Sequence, residues 1–496
     1  MNRKKKSKYL IIIGFGPVAG YKYSRCIRRA IDSGDIAGYS VVDLESQREL
    51  VTGRIVGLPA QPDDIYLLPD KGFNDGSSSS IARFDSICRN IKSRHKCELK
   101  IIITTEPQAH EVYLDYCIRN NIDSLVTKPI TLPMNNGKIN HQEVVNSLKR
   151  LISKKEYKKN NHAALCLSRH HEIYNQGVLK PIISKMKIFG LPVTSLRLNT
   201  SSGVWNLNNE FEERNDHPYK YGYGMLYHGA YHYIDLVAQT LVLNRLIYPD
   251  HELVLELCSF SAFPSDQKHK IPDSIVRKLN GYRNVNLINL ENTDRYGETD
   301  IVTSFCLRLK QTNEVLTLGA LTLEQTTPGM RSWFDFPEVP YNINGRLHCT
   351  DFNVQLATLY SVNGHVVKIP IGARQGNTDL RGKNIGIITT RSNATVMGDQ
   401  EFYTQKILTR PYGNSYSYSA ETEIFDRWIS GKNSQSDLAS HLPSVRLLET
   451  LSESTLRNGE RLQIDFPFEV PKYIKDMHID EHAFNQAGAI SFAAYE

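Results

Sequence analysis

The sequence predicts an α/β fold that begins with a parallel sheet. Three observations predict it. Short apolar, β-branched runs alternate with helix-like stretches through the first third of the chain. The first run, Tyr9 to Ile13, ends in a glycine-rich turn. A second run, Tyr39 to Leu44, follows about 20 residues later and carries an acid, Asp43, near its end. The chain has 496 residues, more than one compact core accommodates, so two domains are expected.

In chain order, Tyr9 to Ile13 is too short for a helix and reads as a buried strand. Gly14, Gly16 and Ala19 then fit G-x-G-x-x-G/A. The first glycine makes a tight turn, the second lets a pyrophosphate approach the backbone, and the third small residue lets helix and strand pack closely. Pro17 suits the first helical turn, where its missing N–H costs nothing. A helix is expected over residues 21–33. An acid where Asp43 stands binds the ribose hydroxyls of a dinucleotide and repels a 2′-phosphate, which favours NAD over NADP. The N-terminal part is therefore expected to be a Rossmann dinucleotide-binding domain. Residues 45–80, with QPDD, PDKG and NDGSSSS, read as an irregular insertion on the rim.

The alternation continues with a helix over 81–93, a strand over 99–104, a helix over 108–120 and a strand over 122–126. Right-handed crossovers bring the carboxyl ends of such strands to one edge, where the chemistry sits. That rule singles out Gly14 to Gly20, Asp43, Thr104, Thr105, His110 and Lys128. Pro129 biases Lys128 toward an extended backbone. From that edge an ammonium can donate to a substrate hydroxyl and stabilise a forming alkoxide. The alternative is an ordinary surface lysine.

The second half opens with a basic helix over 141–155 and a strand over 163–167 that runs into Ser168, Arg169 and His170. Residues 222–243 read as a helix that puts His228, His232 and Asp235 on one face, at i, i+4 and i+7. Three uses fit that face: a solvated polar surface, zinc binding through H-x-x-x-H with no third ligand evident, or acid–base work. In the last, His232 takes a hydroxyl proton, Asp235 supports it, and Tyr231 or Tyr233 offers a phenol. Strands follow over 253–260, 302–309 and 315–323, with insertions over 265–299 and 326–345. Helices are expected over 421–429 and 438–458, and a strand over 461–466. The expected division is 1–156, 157–466 and a tail, 467–496.

Charged residues make up 23% and apolar ones 40%, which excludes a disordered chain. The net charge is +6, with a brief basic run at Arg3, Lys4, Lys5, Lys6 and Lys8 that reads as a solvated lead-in, so no nucleic-acid or membrane partner is expected. No apolar stretch approaches a membrane span, and the short run after the lysines is not a signal peptide. The eight cysteines include no C-x-x-C pair and read as small buried hydrophobes in a reducing, cytoplasmic compartment, with no metal site.

These residues together resemble the glucose–fructose oxidoreductase/inositol dehydrogenase/MocA family. Its glycine turn matches Gly14, Gly16 and Ala19. Its T-P-x-x-H-like stretch matches Thr105-Glu106-Pro107-Gln108-Ala109-His110. Its E-K-P matches Thr127-Lys128-Pro129, with threonine at the glutamate. Its D-x-G-x-H-x-x-D helix matches His228 to Asp235, with His228 at the first aspartate and Ala230 at the glycine. Leu451 to Gly459 looks like the family's last helix and turn. The resemblance implies a Rossmann domain followed by an α/β domain with a large, mostly antiparallel open sheet, which joins chains into homodimers or homotetramers. It implies an NAD-dependent dehydrogenase acting on a sugar, cyclitol or sugar nucleotide. Gly14, Gly16, Pro17, Ala19, Asp43, Thr104, Thr105, His110, Lys128 and Pro129 would line the cofactor. Lys128, Arg169, His228 and His232 would meet substrate, with Lys128 and His232 catalytic. A non-catalytic sensor and a hydrolase that recycles bound NAD are the alternatives.

Overall fold

The computed structural model describes residues 7–16, 19–70, 78–206, 211–212, 219–270, 272–274, 296–328, 348–369, 383–408, 416–432 and 435–477. The basic run before residue 7, Pro17 and most of the two expected insertions over 265–299 and 326–345 lie outside them.

Six strands form the first sheet, all parallel, in the order β3-β2-β1-β4-β5-β8. They are β1 (Lys8–Ile13), β2 (Tyr39–Leu44), β3 (Asp64–Leu68), β4 (Glu98–Ile103), β5 (Asp123–Val126) and β8 (His162–Ala164). The order reverses at β1, which lies beside both β2 and β4. Ile101, Ile102 and Ile103 are all buried, because a parallel sheet carries helices on both faces. Helices α1 (Ser24–Asp32), α2 (Arg48–Ile55), α3 (Ser78–His95) and α4 (His110–Arg119) supply the crossovers. A wide π-type turn over Ala19–Tyr23 precedes α1, so the expected helix starts later than its pattern suggests.

Residues 45–80 differ from the expected irregular insertion. They hold α2 and the edge strand β3. Only Val51 and Ile55 of α2 are buried, and β3 is five residues long, so neither element writes a strong pattern.

The second sheet has nine strands in the order β16-β15-β14-β13-β9-β12-β11-β10-β17. They are β9 (Val193–Trp205), β10 (Leu253–Ala262), β11 (Asp300–Leu309), β12 (Val315–Pro328), β13 (His348–Leu356), β14 (Tyr360–Ile369), β15 (Lys383–Ser392), β16 (Phe402–Leu408) and β17 (Leu462–Asp465). Only β9 and β12 pair parallel; the other pairs are antiparallel. Strands β6 (Met134–Asn135) and β7 (Lys138–Ile139) make a small separate hairpin. One face of the large sheet buries Leu196, Leu198, Leu307, Phe352 and Val354 under helices, including α5 (Lys180–Phe189), α6 (Tyr231–Val242) and α8 (Leu442–Leu456). On the other, open face Phe260, Val302 and Leu318 are exposed among the described residues.

The chain returns to its first sheet near the end. Helix α7 (Tyr416–Ile429) packs Ile424, Phe425, Trp428 and Ile429 against Leu10, Ile12 and Phe15. Lys100, buried within β4, pairs with Asp123 and donates to the Trp428 carbonyl at 3.1 Å, which pins the helix end. Segments on both sides of the large sheet thus build the first layer.

A second tie is the buried pair of Arg169 and Asp235. The guanidinium reaches the two carboxylate oxygens at 2.8 and 2.7 Å, and both side chains are buried. Ser444 donates to Asp235 Oδ1 at 2.5 Å. The remaining Arg169 donors go to Gln435 O at 2.9 Å, Ser440 Oγ at 2.5 Å and Ser440 O at 3.0 Å. Removing one partner strands the other charge, so Arg169→Met and Asp235→Asn should each cost about 3–5 kcal/mol, and the double variant less than their sum. Denaturant unfolding of the three variants measures this; simple additivity would refute the coupling.

Candidate functional site

The carboxyl ends of β1, β4 and β5 meet at the point where strand order reverses, the place where open α/β sheets bind ligands. Gly14 N donates to Val42 O at 2.9 Å, Thr104 N to Ile13 O at 2.9 Å, and Thr127 N to Ile103 O at 3.0 Å. The three turns are therefore laced side by side. Gly14 has φ +81°, and a Cβ there would lie 2.6 Å from Thr105 N. Gly16 is the opposite case, since a Cβ there would meet nothing within 4 Å. The first glycine is required by the protein's own packing. The second leaves space over the backbone, which is the provision a pyrophosphate needs.

Asp43 is buried beneath this turn. Its Oδ2 accepts from Phe15 N at 2.6 Å and its Oδ1 from Leu44 N at 2.8 Å. Burial pushes its carboxyl up, against the two backbone donors and nearby Arg54. A carboxylate has about four acceptor positions, and these two backbone donors occupy two of them. Arg54 donates to Phe15 O at 3.0 Å and braces the turn from α2.

Thr104 Oγ1 donates to Ile13 O at 3.1 Å and also to Gly14 O. His110 is fully buried, with Nδ1 2.8 Å from Pro129 O and Nε2 3.0 Å from Thr105 O. Burial pushes its imidazole down to about 4, so the ring is neutral at pH 7, has one N–H to give to one of these two carbonyls, and is packed between the β4 and β5 turns. Thr105 and Lys128 are half-buried, while Ala19 and Pro129 are buried.

Lys128, next to the cis Lys128–Pro129 bond, donates to the carbonyl of His228. The lysine at the end of β5 thus touches the turn that introduces the histidine helix. That helix is α6, which starts at Tyr231 and not near residue 222. Glycines 222, 224 and 229 disfavour helix before it. The backbone of 224 presses against residues 297–298, where a Cβ at Gly224 would lie 2.3 Å from Glu298 N. Met225 N donates to Glu298 O at 2.8 Å and Leu226 N to Glu298 Oε1 at 2.7 Å.

The expected single face of His228, His232 and Asp235 is accordingly divided. His228 stands in the turn before the helix. His232 is half-buried in the first helical turn, and its Nδ1 accepts from Leu167 N at 3.3 Å. Asp235 belongs to the Arg169 pair and supports α6, not His232. Burial alone would push its carboxyl up, but Arg169 and His441 hold it well below the usual range. Arg169, expected at substrate, spends its donors on Asp235, Gln435 and Ser440. Tyr231 is buried with its hydroxyl 3.1 Å from His441 Nδ1, facing the same pair. Tyr233 Oη accepts from Thr350 Oγ1 at 3.5 Å, on the sheet side.

Glu298 was not legible as a site residue. It falls in a stretch expected to be an insertion, and no spacing links it to Leu226. Burial pushes its carboxyl up to about 7. A raised carboxyl pKa means the folded chain holds a proton the unfolded chain has released. Stability from this group is full below about 4.5 and is lost as pH rises through about 7. Glu298→Gln keeps the acceptor for Leu226 and removes the charge. It should gain up to about 3 kcal/mol over the natural chain at pH 8 and nothing at pH 4.5. Melting both proteins at the two pH values tests this; an equal shift at both would rule it out.

No protein-family model matches the sequence, and no curated protein matches it. Solved structures do. An oxidoreductase domain protein from Kribbella flavida aligns with a TM-score of 0.52 at 10% identity, over 93% of this chain and 100% of its own. The WlbA dehydrogenase from Bordetella pertussis, solved with NADH and UDP-GlcNAcA, aligns with a TM-score of 0.50 at 12% identity, over 94% of this chain and 100% of its own. This chain therefore has the fold of the glucose–fructose oxidoreductase/inositol dehydrogenase/MocA oxidoreductases.

Proposed function

We propose that this chain is a nicotinamide-dependent oxidoreductase of that family, acting at a hydroxyl-bearing carbon of a sugar, cyclitol or sugar nucleotide. The observation that carries the reading is the contact of Lys128 with the turn at His228, which joins the dinucleotide-type edge to the helix holding His232. Gly14, Gly16, Ala19, Asp43, Thr104 and Thr105 would hold the cofactor. NAD is preferred over NADP because the Asp43 carboxylate would face a 2′-phosphate. When bound, the nicotinamide supplies hydride exchange with the substrate carbon.

The chain's own residues act on the substrate oxygen. The Lys128 ammonium donates to it and stabilises its negative charge. With Nδ1 accepting from Leu167, the neutral ring of His232 carries its hydrogen on Nε2. That makes His232 a second donor to a carbonyl oxygen, with the Lys128 ammonium as the proton source in reduction. The proton acceptor role first expected of His232 would require the ring to give up the Leu167 N–H.

The non-catalytic sensor remains the second reading, because the carboxylate of Asp235 is committed to Arg169 and does not support His232. Among the described residues, no helix is long and apolar enough to cross a membrane. Among the described residues, none of the eight cysteines is joined to another by a disulfide. Phe260, Val302 and Leu318 are exposed on the open face of the large sheet and favour burial against a second copy.

Two variants test the reading. Gly16→Ala should fold like the natural chain, because nothing meets its Cβ, yet lose at least about tenfold in NADH affinity by calorimetry. Unchanged affinity would remove the dinucleotide from the account. Lys128→Met should lower kcat by about 10²–10³ or more on any sugar or cyclitol substrate found by screening, while NADH still binds. A natural chain that binds NADH but turns over none of them would favour the sensor.

A further inference from the structure

We propose that Cys349, Asp351 and His365 form a zinc-type metal site on the open face of the nine-stranded sheet. Side chains alternate along β13. Thr350, Phe352 and Val354 point into the core, and Thr350 donates to Tyr233 on the helix that holds His232. Cys349 and Asp351 therefore point the other way, away from the candidate active site. His365 on β14 is the direct cross-strand partner of Asp351. Two residues at i and i+2 plus the residue opposite bring three ligands together with no loop to position them.

The donor atoms all lie within 4.8 Å of one another. Cys349 Sγ is 3.6 Å from Asp351 Oδ2 and 3.8 Å from His365 Nδ1, and that Nδ1 is 2.6 Å from Asp351 Oδ1. Ligands at bonding distance around a tetrahedral zinc ion stand about 3.3–3.8 Å apart. The two sulfur distances already fit. The imidazole–carboxylate hydrogen bond must open by about 0.7 Å, within reach of side-chain torsions. His365 and Asp351 keep 31% and 43% of their side-chain surface, so an ion can enter. One thiolate, one imidazole and one carboxylate select zinc or cobalt over magnesium or calcium. On binding, the thiol proton passes to solvent, and the fourth position takes water. The ion would clamp β13 to β14.

The other Cys–Asp–His grouping among the described residues, Cys166, Asp235 and His441, already holds the Arg169 guanidinium and has no place for a cation.

The test is titration of the purified full chain with Co²⁺. The expected result is a thiolate-to-cobalt charge-transfer band with intense tetrahedral visible bands, saturating at one ion per chain and displaced by Zn²⁺. Cys349→Ser should abolish the charge-transfer band, and His365→Ala should weaken binding while circular dichroism stays unchanged. Cys258→Ser, the control at the other half-buried cysteine, should keep the band. Zn²⁺ should raise the melting temperature of the natural chain but not of either site variant. A natural chain with no charge-transfer band, or a band undiminished in Cys349→Ser, overturns the site.

Discussion

A buried ion pair fixes where the helix Tyr231–Val242 can sit. Arg169 follows the last parallel strand, and Asp235 lies in the helix that starts with Tyr231 and His232. Their bidentate contact is dry, so its geometry tolerates little displacement. Desolvating both charges is expensive, and the return depends on every remaining donor finding an acceptor. Gln435, Ser440 and Ser444 provide those partners from the segment before and within the helix Leu442–Leu456. Three distant parts of the chain must be in place before the pair is satisfied. Its value lies in specifying one arrangement of the two layers more than in net stability.

The glycine turn divides its labour in a related way. Gly14 serves the fold: its positive φ and the closeness of Thr105 leave no place for a side chain. Gly16 is not required by packing, since a Cβ there would meet nothing within 4 Å. Asp43 belongs to both categories. It accepts from Phe15 N and so shapes the turn, with two of its roughly four acceptor positions left over.

Much of this was legible from residues alone. The parallel strands from Tyr9 to Val126 are short apolar runs between turn signals, and their strand-end residues do gather at one edge. What escaped was decided by long-range contacts. The edge strand Asp64–Leu68 and helix Arg48–Ile55 bury too few side chains to show a period. The helix expected from residue 222 starts at Tyr231 because Glu298, more than 70 residues away, takes the N–H groups that a helical turn would need. The i, i+4, i+7 spacing of His228, His232 and Asp235 assumed one continuous helix. Without it, His228 falls in a turn and Asp235 turns to Arg169. The grouping of Cys349, Asp351 and His365 depends on strand register, which no spacing along the chain reveals.

The two departures from the resembled family's motifs look different once the contacts are known. His228 stands where that family carries an aspartate, yet what it gives Lys128 is its backbone carbonyl, which any residue offers. Thr127 stands at the glutamate, and its hydroxyl faces Ile103 O at 3.5 Å and His110 Nε2 at 3.4 Å, within the lattice that bridges the strand ends. His232 is likewise oriented by a backbone N–H, that of Leu167. Backbone groups thus position both residues assigned to the substrate oxygen. Neither of these contacts uses the side chain at 127 or 228, so both departures leave the placement of Lys128 and His232 to backbone groups.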